Sequence, residues 1–307
     1  MQSLAQEKSA IPRGEDRLLA DAGRLRESPA FPEAVREYTV GLARFREAPR
    51  LINKLISYEK RFRVTGYLLY LHADREMFGP DGGATYGRLF ELCTRRREVS
   101  PRVLKTTLAM LKLAGFVETL RSDMDRRSKF YRPTGRMYDF IRQWLTYAVN
   151  ALDVLQPEMR RAQLLRNDPH FVERFLVAGG RDHIAGEPPA DRMPEFISFF
   201  GAREGAAAVV LAVMLANIDR GPSPSRAHIA KRFGLSKTQV SIIIGEGARL
   251  GFLTLDDGGV PSPTQYLRDS YGGWISIELA FYAQHMRSAQ VSSAEPKPLG
   301  ESALVRR

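Results

Sequence analysis

The chain copies itself. "LRESPAFPEAV" begins at Leu25 and "LRNDPHFVERF" at Leu165, an offset of 140. "LISY" (55–58) matches "FISF" (196–199) at 141, and Gly79-Pro80 matches Gly221-Pro222 at 142. "SPRVLKTTLAMLKLAGF" (100–116) matches "SKTQVSIIIGEGARLGF" (236–252) at 136. Pro133-Thr134 matches Pro263-Thr264, and Trp144 matches Trp274, both at 130. The matches keep one order, and the offset falls only where a loop shortens, so the spacing predicts two related units. A chain of 307 residues is long enough to give each its own core. The expected organisation is an N-terminal tail over 1–24, a first unit with flanking helices over 25–155, and a linker over 156–164. A second unit with flanking helices follows over 165–287, then a disordered C-terminal tail over 288–307.

Each unit has the same succession of local signals. "VTGYLLYLHADREM" (64–77) is apolar at helical spacing, and "TYGRLFELCTRR" (85–96) puts Leu89, Leu92 and Cys93 on one face. Ser100-Pro101 opens a third helix: serine accepts from free amides at the N-cap, and proline fits the first turn. Leu104, Leu108 and Leu111 form its inward stripe and Gly115 ends it. "FVETL" and "KFYRP" alternate as two strands joined by a charged loop, and a long helix is expected over 135–155. The second copy has a short helix, a turn at Gly234, a helix whose Ser236 and Gln239 are spaced as a capping box, and a shortened strand pair in "GFLTLDDGGVPSPT". The fold class expected is mainly α with small β-hairpins (α+β). Its architecture is two tandem winged helix-turn-helix units joined by long helices about a pseudo-two-fold.

Charge points to a polyanionic partner. The net charge is +11, and residues 51–150 alone carry +9 of it. A local excess of that size suits nucleic acid better than a small acidic substrate. Cys93 is the single cysteine, which excludes an intramolecular disulfide and fits a reducing cytoplasm. The opening "MQSLAQEKSAIPRGEDRLLA" has no apolar core, so no signal peptide is expected. The most apolar run, "GAAAVVLAVMLANI" (205–218), is too short to span a bilayer and is expected as a buried helix.

The first unit resembles the MarR family of bacterial winged-helix transcriptional regulators. The residues that carry the resemblance are "LKLAGFV" at the end of the third helix, Asp125-Arg126-Arg127, and Thr134 opening the next long helix. The second unit keeps "ARLGFL" and Thr264 but lacks the D-x-R wing. The resemblance covers 55–155 well and 196–287 loosely. It implies a cytoplasmic, nucleoid-associated regulator of double-stranded DNA. It also implies Arg127 as the minor-groove residue with Asp125 orienting it. Family members are usually dimers, so the repeat implies either a monomeric pseudo-dimer fused in one chain or a homodimer.

The candidate contacts follow from the helical face. With the leucines inward, Arg102, Lys105, Thr106, Ala109 and Lys112 point outward. Arg102, Lys105 and Thr106 are expected to read base edges in the major groove, and Lys112 to touch backbone. In the wing (121–132), Arg126 and Lys129 add phosphate contacts around Arg127 in the narrow minor groove, and Arg121 and Arg132 stand nearby. The second unit offers Lys237, Thr238, Gln239 and Ser241, but its turn carries Asp256 and Asp257, so weaker contact is expected there. Trp144 and Trp274 are expected as core or interface anchors, or as the wall of an effector pocket whose ligand the sequence does not name.

No enzyme and no cofactor are expected. The five histidines are scattered, no phosphate-cradling glycine motif follows a strand, and no metal-ligand cluster forms. Cys93 beside "TRRR" invites a redox reading, but its apolar face favours a buried structural thiol. Two other functions fit a basic tandem winged-helix chain: a plasmid replication initiator and a protein-interaction scaffold.

Overall fold

The computed structural model describes residues 14–47, 50–79, 83–95, 99–121, 129–185, 189–201 and 203–294. Its helices begin with α1 (Gly14–Glu27), α2 (Phe31–Phe45), α3 (Arg50–Ile56), α4 (Glu59–Ala73), α5 (Arg75–Phe78), α6 (Tyr86–Arg95) and α7 (Pro101–Leu113). The hairpin β1 (Val117–Arg121) and β2 (Lys129–Pro133) leads into α8 (Gly135–Leu155). Then come α9 (Arg161–Asn167), α10 (Phe171–Ala185), α11 (Pro194–Phe200), α12 (Ala206–Ile218), α13 (Arg226–Phe233) and α14 (Lys237–Arg249). A shorter hairpin, β3 (Leu253–Leu255) and β4 (Pro261–Pro263), precedes α15 (Gln265–Ala294). The protein is therefore mainly helical with two small antiparallel hairpins.

Capping residues set several of these starts. Ser100, Thr134, Ser225 and Ser236 each accept from the backbone N–H three residues on, at the heads of α7, α8, α13 and α14. One half of the expected capping box fails. Gln239 turns its side-chain amide to the carbonyl of Glu204 at 2.7 Å rather than back to Ser236. The helix expected over 64–77 is broken in two, because Asp74 leaves helical backbone and caps α5. Its carboxylate also accepts from Arg181 of α10 at 2.7 and 2.8 Å.

Three expectations about the flanks are corrected. The supposed tail 1–24 is helical from Gly14, and Leu18, Ala22 and Leu25 are buried at helical spacing. That stripe is hidden in the sequence by the charged residues between. Helix α15 likewise runs past 287 to Ala294, with α1 packed along it. The expected linker holds a 3-10 turn (Pro157–Met159) and the start of α9. Arg161 there is only 1% exposed and donates to Gln156 at 2.5 Å and Leu152 at 3.5 Å.

The core is one continuous cluster that draws on both halves of the chain. Helix α2 packs on α8 and on α12, and α10 packs on α4 and on α15. Two glycines permit these approaches. A Cβ on Gly41 would lie 2.6 Å from the Tyr147 side chain of α8, and one on Gly180 would clash with the Tyr70 side chain of α4. Helix α12 is buried from Ala206 to Met214, as its apolar run requires. No helix among the described residues is long and apolar enough to cross a membrane.

Candidate nucleic-acid interface

Helix α7 presents the face expected of it. Leu104, Leu108 and Leu111 are buried, and Thr107 joins them with its hydroxyl donating to the Val103 carbonyl at 2.8 Å. Arg102, Lys105, Thr106, Ala109 and Lys112 are exposed. Among the described residues Arg102 and Lys105 form no ion pair, while Lys112 lies over the Tyr131 ring at 5.6 Å and so joins the helix to β2.

The hairpin is fixed at its base. Val117 pairs with Pro133 and Arg121 with Lys129, and Tyr131 N–H donates to the Ala84 carbonyl at 2.8 Å. Thr134 closes the corner: its hydroxyl donates to the Gly115 carbonyl at 2.8 Å and accepts from Met137 N–H. Arg121 and Lys129 are both exposed and face each other at the open end. Asp125, Arg126 and Arg127 lie outside the described residues, in 122–128. Arg132 is exposed beside Glu118 at 3.9 Å, a surface pair of small worth.

The corresponding part of the second half shares the frame and differs in charge. Gly115 and Gly251 both take positive φ, 70° and 77°. Phe116 N–H donates to the Leu111 carbonyl and Phe252 N–H to the Gly247 carbonyl, each at 2.9 Å. Thr264 donates to the Gly251 carbonyl at 2.8 Å, as Thr134 does to that of Gly115. On α14, Lys237 and Thr238 are exposed, Ser241 is half-buried and Gln239 is tied to Glu204. Ile242, at 55% exposure, puts an apolar side chain where a polar contact would be needed. The β3–β4 turn is closed by Asp256, whose carboxylate accepts from Val260 N–H at 2.8 Å, and Arg226 braces it at the Gly259 carbonyl. The sequence suggests acid facing a partner; the geometry gives Asp256 a local job instead.

The two tryptophans meet around a partly open chamber of about 210 Å³ lined mainly by α2, α4, α8, α10, α11 and α15. Trp144 stands edge-on to Phe62 at 5.3 Å and to Tyr282 at 5.4 Å, and Trp274 lies 4.6 Å from Phe200 and 6.4 Å from Tyr38. Both are thus core aromatics and cavity wall at once. Residues missed in the sequence stand with them: Tyr38, Arg46, Glu59, Glu278 and Tyr282. These come from helices far apart in the chain, and only the pairing of the two tryptophans hinted at the place. Cys93 is buried as expected. Set against known protein families, characterised proteins and solved structures, the chain matches none.

Proposed function

We propose that this protein is a sequence-specific, double-stranded DNA-binding transcriptional regulator of MarR-like type. Two winged helix-turn-helix units descended from one module share the chain, as a fused pseudo-dimer. The observation that carries the proposal is the outward face of α7. Four polar or cationic side chains there, Arg102, Lys105, Thr106 and Lys112, stand exposed on a helix whose other side is fully packed. An exposed helix of this kind fits the major groove, and its N-terminal residues reach base edges. The hairpin joined to it by Lys112 and Tyr131 opens at Arg121 and Lys129. In this reading the segment between them enters the minor groove. The matched corners at Thr134 and Thr264 support a common origin for the two units. The core shared by both halves supports a single body in place of two separate chains.

The test is selection of bound duplexes from a random library, followed by salt titration of the winning sequence. With about five phosphates neutralised, log affinity should fall against log salt with a slope of about −4 to −5. The site should be asymmetric, and one chain per duplex should be seen by mass. Failure to retain any duplex at low salt would overturn the proposal, and a homodimer bound to a palindrome would remove the fused pseudo-dimer from it.

A further inference from the structure

The chamber between the tryptophans holds a half-buried carboxylate with no cationic partner among the described residues. Glu278, on α15, lines it, and Tyr282 and Trp274 lie close enough to its carboxyl to favour the charged form. Two arginines also line the chamber, and both interact with Glu59. Arg63 donates to Glu59 at 3.0 Å, and Arg46 feels the charge of Glu59 while its Nη1 donates to the Ile56 carbonyl at 2.7 Å. The charge felt by Glu278 is that of Glu59, which repels it. Arg46 and Arg63 thus outnumber Glu59, their shared carboxylate, whereas Glu278 stands among aromatic rings with no ion pair among the described residues.

Aromatic rings surround that end. Tyr282 lies 5.4 Å from Trp144, 6.0 Å from Phe175 and 6.5 Å from Tyr38, and Trp274 closes the other side. Ring faces attract cations, most strongly where water is excluded. We propose that the chamber binds a small lipophilic amine in its cationic form, with Glu278 as counter-ion and Trp144, Trp274 and Tyr282 as the surrounding rings. A cavity of roughly 150 Å³ accepts benzene. One of 210 Å³ therefore takes a single ring with a short amino-alkyl arm. Burial and the neighbouring Glu59 raise the Glu278 carboxyl to about 7, and a bound ammonium would draw its proton off.

The chamber reports on its own occupancy, because the chain has two tryptophans and both line it. 2-Phenylethylamine, 2-phenylethanol and 3-phenylpropionate are titrated at pH 8 against tryptophan fluorescence and by calorimetry. The amine should bind at least tenfold more tightly than the alcohol, and the carboxylate more weakly than either. Glu278→Gln, which keeps shape and removes charge, should abolish the amine's advantage and leave the alcohol unchanged. Equal affinity for amine and alcohol in the wild type, tighter binding of the carboxylate at Arg46, or an unaltered amine affinity in Glu278→Gln would each overturn the proposal. Should Glu278→Gln not fold, the three-ligand series on the wild type decides alone. The titrations contain no DNA, so their outcome stands apart from that of the duplex selection.

Discussion

The hairpin after α7 opens on Arg121 and Lys129, whereas the hairpin after α14 is a closed turn built on Asp256 and braced by Arg226. Both hang from the same corner, a glycine at positive φ and a threonine bonded to its carbonyl. The long helices that follow differ in the opposite sense. At the offset that relates Trp144 to Trp274, the fully buried Ala148 of α8 stands where α15 carries Glu278. What the two halves share is backbone closure, and what separates them is charge placed on an unchanged frame. Corners of this kind satisfy buried backbone groups and tolerate little, while exposed helix faces and loop tips are free to change.

On the proposed function the first half should dominate DNA binding. The double variant Arg102→Glu, Lys105→Glu should cost about 3 kcal/mol or more, a hundredfold in affinity, because each bidentate base contact is worth about 1–3 kcal/mol. Lys237→Glu, at the matching start of α14, should cost less than a tenth as much in fold-change by the same duplex titration. Equal losses would make the two helices equivalent readers and end the asymmetry.

The next effect separates α15 from α8. Glu278 is ionised in the folded protein only as pH passes about 7, against an ordinary 4.5, because burial and Glu59 disfavour its charge. A raised acid binds its proton more tightly when folded, so its contribution is intact below about 4.5 and lost as pH rises through 7. Glu278→Gln should therefore match the wild type at pH 4.5 and be more stable by roughly 1–3 kcal/mol at pH 8. Denaturant melts at the two pH values measure it. A constant difference between variant and wild type across that range would mean the carboxyl is solvated, and the chamber would lose its proposed counter-ion.

Much of the fold was legible because its signals are local. Ser100-Pro101 and Gly115 bracket α7, and the leucine stripe between them is the buried one. Helix α8 runs over the expected residues, because Thr134 marks its start as an N-cap. What escaped the sequence depends on contacts between distant segments. Asp74 breaks a continuous apolar pattern because Arg181, more than a hundred residues later, holds its carboxylate. Gln239 leaves its capping partner for the Glu204 carbonyl. Arg161 sits inside an expected linker because the end of α8 folds back to receive its guanidinium. The exposed cations of the candidate interface could be foreseen from the helical face alone. The chamber could not, since Tyr38, Glu59 and Glu278 have no spacing that joins them.

A smaller effect tests whether the two corners are equivalent. Thr134→Ala and Thr264→Ala each remove an N-cap and a hydroxyl bond to a glycine carbonyl, and each should cost about 1 kcal/mol in thermal or denaturant melts. The pair should be additive, because the sites share no hydrogen-bond partner. If one substitution costs several times the other, the corners are alike in geometry and unlike in load, and the common frame loses its force.

The smallest effect concerns the second turn. Asp257 is exposed, and the turn's closure depends on Asp256 and Gly259 rather than on it. Asp257→Lys therefore changes charge with little change in fold. A turn held clear of the duplex, as its short span and its bracing by Arg226 favour, would feel phosphates only through screened solvent. The Debye length is about 8 Å at physiological salt, so the gain in DNA affinity should stay below about 0.5 kcal/mol. A tenfold gain, with a salt slope steeper by about one, would place this turn against the backbone. The second half would then be a reader restrained by two aspartates, and Lys237 and Thr238 would deserve the weight now given to Arg102 and Lys105.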